Sequence, residues 1–344
     1  MKLRFALSLF LVSIIFSQQA KCQKDSKSLE LLIGEKFNGS VLVGSRGKIL
    51  YQQQIGYADM EFRVPVSIHT KFEIASLTKP FTALLVLRLV QDGRIQLDDR
   101  LTKYLPEIIR PDAQTITIHH MLSHTSGIQD YIGISPEFAA WTDKKVLEEL
   151  ANTPIQFLPG TQFQYSSSTY ILLRIIIERV TRKSYEENLK LYVLDPAEMT
   201  ETGVAHNQQV IPENAFGYIT TSSGYKHSYP ILNSELFLGA ASLYTTANDL
   251  LKWDQALYNG KLLDDKYQQL MYTTVKKPYG YGWFIEESAQ GRKSISHGGD
   301  IFGFTSLIQR DLDTQTIFII LSNIQSVNRD PILSILKKSV SNER

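Results

Sequence analysis

Ser76 stands three residues ahead of Lys79. On the first turn of a helix that spacing puts both side chains on one face, so an amine could take the proton of the hydroxyl. The same spacing recurs at Ser45/Lys48, Ser223/Lys226 and Ser334/Lys337, so spacing alone selects nothing. Context does. Ser76 follows Phe72-Glu-Ile-Ala75 and precedes Pro80, which suits a first helical turn, where a missing N–H costs least. The other three matches fall in a hairpin turn, a polar loop and an exposed terminal helix. A helix start also presents backbone N–H groups and positive potential to a developing oxyanion. The chemistry implied is nucleophilic attack by a serine.

Tyr165-Ser-Ser167 offers a second proton-transfer group just before a helix, since a phenol beside a cation loses its proton more readily. His297-Gly-Gly299 lies on or beside a C-terminal strand. Adjacent glycines there let a ligand approach the backbone, and a strand edge can present an N–H to an oxyanion. His119, His120 and His124 have no carboxylate or cysteine at a zinc-like spacing. No metal is expected, although a metallohydrolase built on these three would show chelator-sensitive activity. No Gly-x-Ser-x-Gly elbow and no glycine-rich dinucleotide fingerprint occur, which argues against an α/β-hydrolase and against a cofactor domain.

The elements that must hold these groups are legible in outline. Gly39–Gly44 and Lys48–Tyr51 read as two strands joined by a turn. From Pro80 the pattern Phe81, Leu84, Leu85, Leu87, Leu89 is apolar nearly all round, as in a buried helix. Helices follow over Lys144–Leu150, Tyr170–Val180, Tyr185–Leu194 and Asn248–Tyr258, the last capped near Thr246 or Asn248. Strands are expected at Tyr279–Ile285, Ser294–Ser296, Phe304–Gln309 and Thr316–Ser322, and a closing helix at Pro331–Val340. Strands at both ends with helices between give an α+β fold, one antiparallel sheet built from both chain ends with a mainly helical region, about residues 100–260, inserted beside it.

The chain has 344 residues and a formal net charge of +1, so no field favours nucleic acid. Lys2 and Arg4, the apolar run Phe5–Phe16 and Ser17-Gln-Gln-Ala20 have the form of a secretory signal over residues 1–20, cut near Ala20. A run of twelve residues, ten of them apolar, is too short to span the membrane. Residues 21–34 read as a tether and helix start, and 35–344 as the catalytic domain. Cys22, the single cysteine, can form no internal disulfide and is a candidate for lipid attachment. An exported protein is expected, periplasmic or secreted, or anchored as a lipoprotein.

In order, Phe72-Glu-Ile-Ala-Ser-Leu-Thr-Lys79, Tyr165-Ser-Ser167 and His297-Gly-Gly299 resemble the three motifs of penicillin-recognising serine enzymes, in the branch of class C β-lactamases, D-alanyl-D-alanine carboxypeptidases and serine esterases. Leu97-Asp-Asp-Arg-Leu-Thr-Lys-Tyr-Leu-Pro106, His124-Thr-Ser-Gly127, Gly239-Ala-Ala-Ser-Leu243 with Asn248-Asp-Leu250, and Tyr279-Gly-Tyr-Gly-Trp283 are similar to its flanking stretches. The resemblance implies a β-lactamase/transpeptidase-like fold and hydrolysis of an ester, amide or peptide bond in a small molecule or peptide. Ser76 would be the nucleophile, and Lys79 and Tyr165 would move its proton. The backbone N–H groups of Ser76 and Asp300 would form the oxyanion hole, and Ser167, His297, Gly298 and Gly299 would bind substrate, with no cofactor. A rival reading keeps the cleft but not the catalysis, as a module binding cell-wall peptide or a protein partner. Three departures stand out. Ser167 replaces the usual asparagine, and His297 replaces the lysine of β-lactamases, which implies a weaker, pH-dependent hold on a carboxylate. Arg174, Arg182 and Asp195-Pro-Ala-Glu-Met199 differ from the usual helix and turn in ways that read as structural.

Overall fold

The computed structural model describes residues 37–131, 141–206, 209–228, 234–276 and 278–341. The signal segment, the tether and Cys22 expected from the sequence lie outside the described residues. Strands β1 (Gly39–Ser45) and β2 (Lys48–Ile55) form a hairpin. Its turn, Arg46-Gly47, has φ of 50° and 75°, the two positive values that let a two-residue connection match the strand twist. The chain then passes through a 3₁₀ turn (Ala75–Thr78) into helix α1 (Lys79–Gln91). Helices α2 (Ser167–Thr181) and α3 (Ala247–Tyr258) follow. It returns as β3 (Phe284–Glu287), β4 (Lys293–Ile301), β5 (Phe304–Asp311) and β6 (Thr316–Ser322), and closes with α4 (Arg329–Ser341).

The sheet order is β3-β4-β5-β6-β1-β2, antiparallel throughout. The two chain ends therefore share one sheet, as the sequence pattern implies. β6 explains why: its Ile317-Phe-Ile-Ile-Leu321 run is wholly buried, which needs a layer on each face. Ile317, Ile319 and Leu321 enter the main core with α1, α2 and α3, while Phe318 and Ile320 pack with Val41, Val43, Ile332 and Leu336 beneath α4. The side-chain alternation of one strand thus divides the two cores.

A smaller sheet pairs Phe72–Glu73 and Gly203–Val204 with Leu243–Thr245. It anchors the residues before Ser76, through Ile74 N–H to the Leu243 carbonyl (2.9 Å) and Leu243 N–H to Thr78 Oγ1 (3.2 Å). Two elements differ from expectation. Of the Tyr279–Ile285 region only Phe284 and Ile285 lie in a strand, β3, which continues to Glu287. Gly282 (φ 78°) turns instead against α1, where a Cβ would lie 2.9 Å from the Ala83 Cβ. The helix expected over Tyr185–Leu194 is α-helical to Leu189 and widens into a π turn over Lys190–Leu194. Arg174 is buried and forked onto Asp143 (2.5 Å to each oxygen), and Arg182 ends α2 in the left-handed conformation (φ 56°). Both positions serve packing and termination. No helix among the described residues is long and apolar enough to cross a membrane.

One buried ion pair joins sheet to helix. Arg310 on β5 donates to Asp254 on α3 (2.6 Å) and to the Tyr272 hydroxyl (2.5 Å), with both charged side chains out of contact with water. Removing one partner leaves the other charge buried and uncompensated. Asp254→Ala is expected to lower stability by about 3–5 kcal/mol in a denaturant titration. A loss under about 1 kcal/mol, as for an exposed pair, would contradict this.

Candidate active site

Ser76 sits on the 3₁₀ turn that runs directly into α1, with Pro80 in the helix's first turn. The residue before it, Ala75, has φ 50°, a left-handed conformation that a residue with a Cβ adopts only when its surroundings enforce it. Ser76 itself is half-buried. Lys79 is fully buried, its Nζ 3.0 Å from Ser76 Oγ and 3.1 Å from the Ala240 carbonyl. None of the other Ser-x-x-Lys matches makes such a bond among the described residues; Ser45 and Lys48 face each other across the β1–β2 ladder. Burial lowers the Lys79 amine from lysine's ordinary 10.5 to about 7, with the negative charge of Asp130 acting the other way. Near neutral pH the amine is therefore free to accept a proton.

Tyr165 lies with its ring 4.8 Å from Lys79 Nζ and its hydroxyl in hydrogen-bond contact with Ser76. Burial raises this phenol above its ordinary value, against the Ser76 hydrogen bond. The expectation that a neighbouring cation would free its proton is therefore reversed: the amine gives up charge and the phenol keeps its hydrogen. Tyr165 can pass a proton along but does not stand as phenolate. Its segment is held by His124, whose Nδ1 accepts from the Ser166 N–H (3.2 Å) and whose carbonyl accepts from Gln164 N–H (2.9 Å). The His124 ring lies against that of Tyr165 at 4.4 Å. Ser167 opens α2 and is buried.

His297, Gly298 and Gly299 lie on β4, whose pairing with β3 ends at Ser296. Beyond that point no strand among the described residues pairs with this edge of β4, which is open to that extent. The β4–β5 connection, Phe302-Gly303, has two positive φ values (36° and 93°) and closes the Ile301–Phe304 pair. Antiparallel pairs alternate, so the Asp300–Thr305 pair sends its N–H and C=O outward and the Asp300 N–H points to the open edge. Gly299 is required by proximity: a Cβ there would lie 2.3 Å from the Ile74 carbonyl and 2.8 Å from the Ser76 nitrogen. The neighbouring Ser306 hydroxyl ties the same turn to β5 by donating to the Ile74 carbonyl (2.7 Å).

His297 departs from expectation. It is buried, with Nε2 3.0 Å from the Tyr279 hydroxyl and Nδ1 2.8 Å from the Gly298 carbonyl. Burial, with the charge of Lys79, takes it from 6.5 to about 3. It is neutral across the ordinary pH range, so a partly charged histidine greeting a carboxylate is not what the geometry provides. The other clustered histidines do not converge on a metal either. His119 Nδ1 meets the Tyr281 hydroxyl (2.6 Å), and His120 Nδ1 accepts from Thr117 N–H (3.2 Å) in a helix cap. Among the described residues the only gathering of possible metal ligands is His69, Glu201 and Glu213, at the surface.

Sequence reasoning missed Asp130, whose charge reaches both Lys79 and Tyr165 and whose carboxylate accepts from Ser168 Oγ (3.2 Å). It also gave no role to the Ala240 carbonyl or to Tyr279. Gly239-Ala-Ala-Ser-Leu243 was the available signal for Ala240; nothing local marks Asp130.

These protonation states make a prediction. The rate at which a fluorophosphonate labels Ser76 is expected to rise with pH through about 7, as Lys79 loses its proton, and His297→Gln should leave that midpoint in place. A midpoint that moves with His297 would contradict the assignment. Gly299→Ala, which pushes into the Ser76 turn, should slow labelling about 100-fold.

The Beta-lactamase family model matches residues 34–336. A penicillin-binding protein of Bacillus subtilis (strain 168) is 32% identical over 332 residues, spanning 88% of this chain and 72% of the relative. A penicillin-binding protein from Bacillus halodurans superposes with a TM-score of 0.79 at 26% identity, over 92% of this chain and 98% of that one. The D-amino acid amidase of Ochrobactrum anthropi SV3, solved with D-phenylalanine, gives 0.79 at 25% identity over 92% and 99%. With a family match over most of its length and relatives of the same fold, the chain belongs to the beta-lactamase family.

Proposed function

We propose that this protein is an exported serine hydrolase that cleaves an ester, amide or peptide bond through an acyl-enzyme. The observation that carries this reading is Lys79, a fully buried amine brought to about pH 7 and 3.0 Å from the Ser76 hydroxyl. A binding cleft has no use for a base held at the cost of burial.

Ser76 Oγ attacks the carbonyl carbon while its proton passes to Lys79 Nζ, and the carbonyl π pair moves onto oxygen. That oxyanion is received by the N–H groups of Ser76 and Asp300. Collapse breaks the bond to the leaving group, which takes a proton from Lys79 through the Tyr165 hydroxyl. Water then repeats the sequence at the acyl carbon, and Ser76 recovers its proton. No metal or organic cofactor enters this scheme.

Esters, amides and D-configured peptides suit the site better than β-lactam antibiotics. His297 is neutral and both its nitrogens are engaged, so it offers a substrate carboxylate no charge. Ser167 lacks the carboxamide that could bond a substrate amide from both sides. The similarity to a D-amino acid amidase supports the same class. Residues 1–20 support export to the periplasm or beyond, with Cys22 the candidate lipid attachment.

Purified protein is expected to be labelled by a fluorophosphonate and to turn over p-nitrophenyl esters or D-amino acid amides. Ser76→Ala should abolish both. A chromogenic cephalosporin should react with kcat/KM at least about tenfold lower. Rapid Ser76-dependent cephalosporin turnover with esters and amides untouched would overturn the substrate class. Absence of labelling in wild type would favour a module that binds cell-wall peptide without cleaving it.

A further inference from the structure

The oxyanion side of the site rests on two consecutive glycines, the softest arrangement a strand can have. Gly299 is explained by the Ser76 turn against one face. Gly298 faces the other way and has a different neighbour. A Cβ at 298 would lie 2.5 Å from Nη1 of Arg329, at the start of α4. The guanidinium fills the place a side chain would occupy. Nη1 donates to the Ser306 carbonyl (3.0 Å) and to the Gly299 carbonyl (3.4 Å), bridging a β4–β5 pair, and Nη2 binds Asp300 Oδ2 (2.7 Å). The other Asp300 oxygen accepts from Thr305 Oγ1 (2.9 Å). One planar fork thus touches three successive residues of β4 from behind, while the Ile74–Ser76 backbone presses on Gly299 from the front.

We propose that Arg329 is the positioning residue of the oxyanion strand, a splint on Gly298–Asp300 that fixes the direction of the Asp300 N–H. The inference rests on the reading of that N–H as an oxyanion donor. Its energetic basis is the fork's hold on backbone carbonyls rather than the Asp300 ion pair, which is partly exposed and contributes little to stability. A donor that wanders loses its value, because oxyanion stabilisation depends on geometry fixed before the reaction. Lysine would keep the charge, but its single nitrogen could not hold the two carbonyls and Asp300 at once, as Nη1 and Nη2 do together.

The test measures p-nitrophenyl ester hydrolysis, fluorophosphonate labelling of Ser76 and thermal unfolding in five variants. Arg329→Met should lower kcat and the labelling rate together by about 10- to 100-fold, with KM changed less than about threefold. Arg329→Lys, which retains the charge and guards against misfolding of the first variant, should lose at least about fivefold in kcat with an unchanged unfolding midpoint. Gly298→Ala should be damaging in the wild type. Arg329→Ala alone should lose kcat as Arg329→Met does, and adding Gly298→Ala to it should restore part of that loss, because the new Cβ enters vacated space. Wild-type labelling with all Arg329 variants within about threefold of it would overturn the splint and leave the serine mechanism standing. Absence of wild-type labelling would overturn both.

Discussion

The approach of Gly299 to the Ile74–Ser76 backbone is the constraint around which the rest of the molecule is arranged. It brings a strand near the end of the chain within contact distance of a turn near its beginning. The antiparallel sheet formed by both chain ends makes that meeting possible, and β6, buried on both faces, fixes its register. Ala75 held at φ 50° is part of the same closure. Its conformation is unfavourable in isolation and persists because Gly299 on one side and the Leu243 ladder on the other leave the turn no alternative.

Around that contact the protein separates its two proton carriers by environment. Lys79 and Tyr165 are both buried and adjacent, yet desolvation acts on them in opposite senses, since one is charged when protonated and the other when deprotonated. The amine is driven toward neutrality and the phenol is held there. Above about pH 7 both groups are then mostly uncharged, and the site holds one acceptor and one relay. His297 extends the pattern, since it too is buried and neutral.

The fold was largely readable because periodicity and burial report each other. The all-round apolar character of Phe81 to Leu89 means burial, and Ile317–Leu321 means a central strand. The exceptions have local causes. Tyr279–Trp283 carries strand-like aromatics, but Gly282 spends its conformational freedom on a close turn against α1. Lys190–Leu194 has helical spacing, and the widened turn inside it leaves no mark in residue type. At the site, Ser76, Lys79 and Tyr165 were visible because hydroxyl, amine and phenol declare their chemistry. The state of His297 was not visible, because a histidine's charge is set by what encloses it, here Tyr279 and the Gly298 carbonyl. Asp130 and Arg329 reach the site through packing from distant parts of the chain, and no short motif encodes that.

The buried amine also has a thermodynamic side that requires no substrate. Lys79 in the unfolded chain holds its proton up to lysine's ordinary 10.5, whereas in the native fold it lets go at about 7. Between those values the unfolded state binds the extra proton, so this residue's contribution to stability rises with pH across that window and is most unfavourable below it. The proton that must leave for Ser76 to be activated is the same proton whose departure favours the native state. Acidification from 10.5 towards 7 therefore loosens the fold by protonating the unfolded chain while the native amine stays free. Only below about 7, where the stability penalty grows no further, does the native amine take up its proton and fall silent as a base.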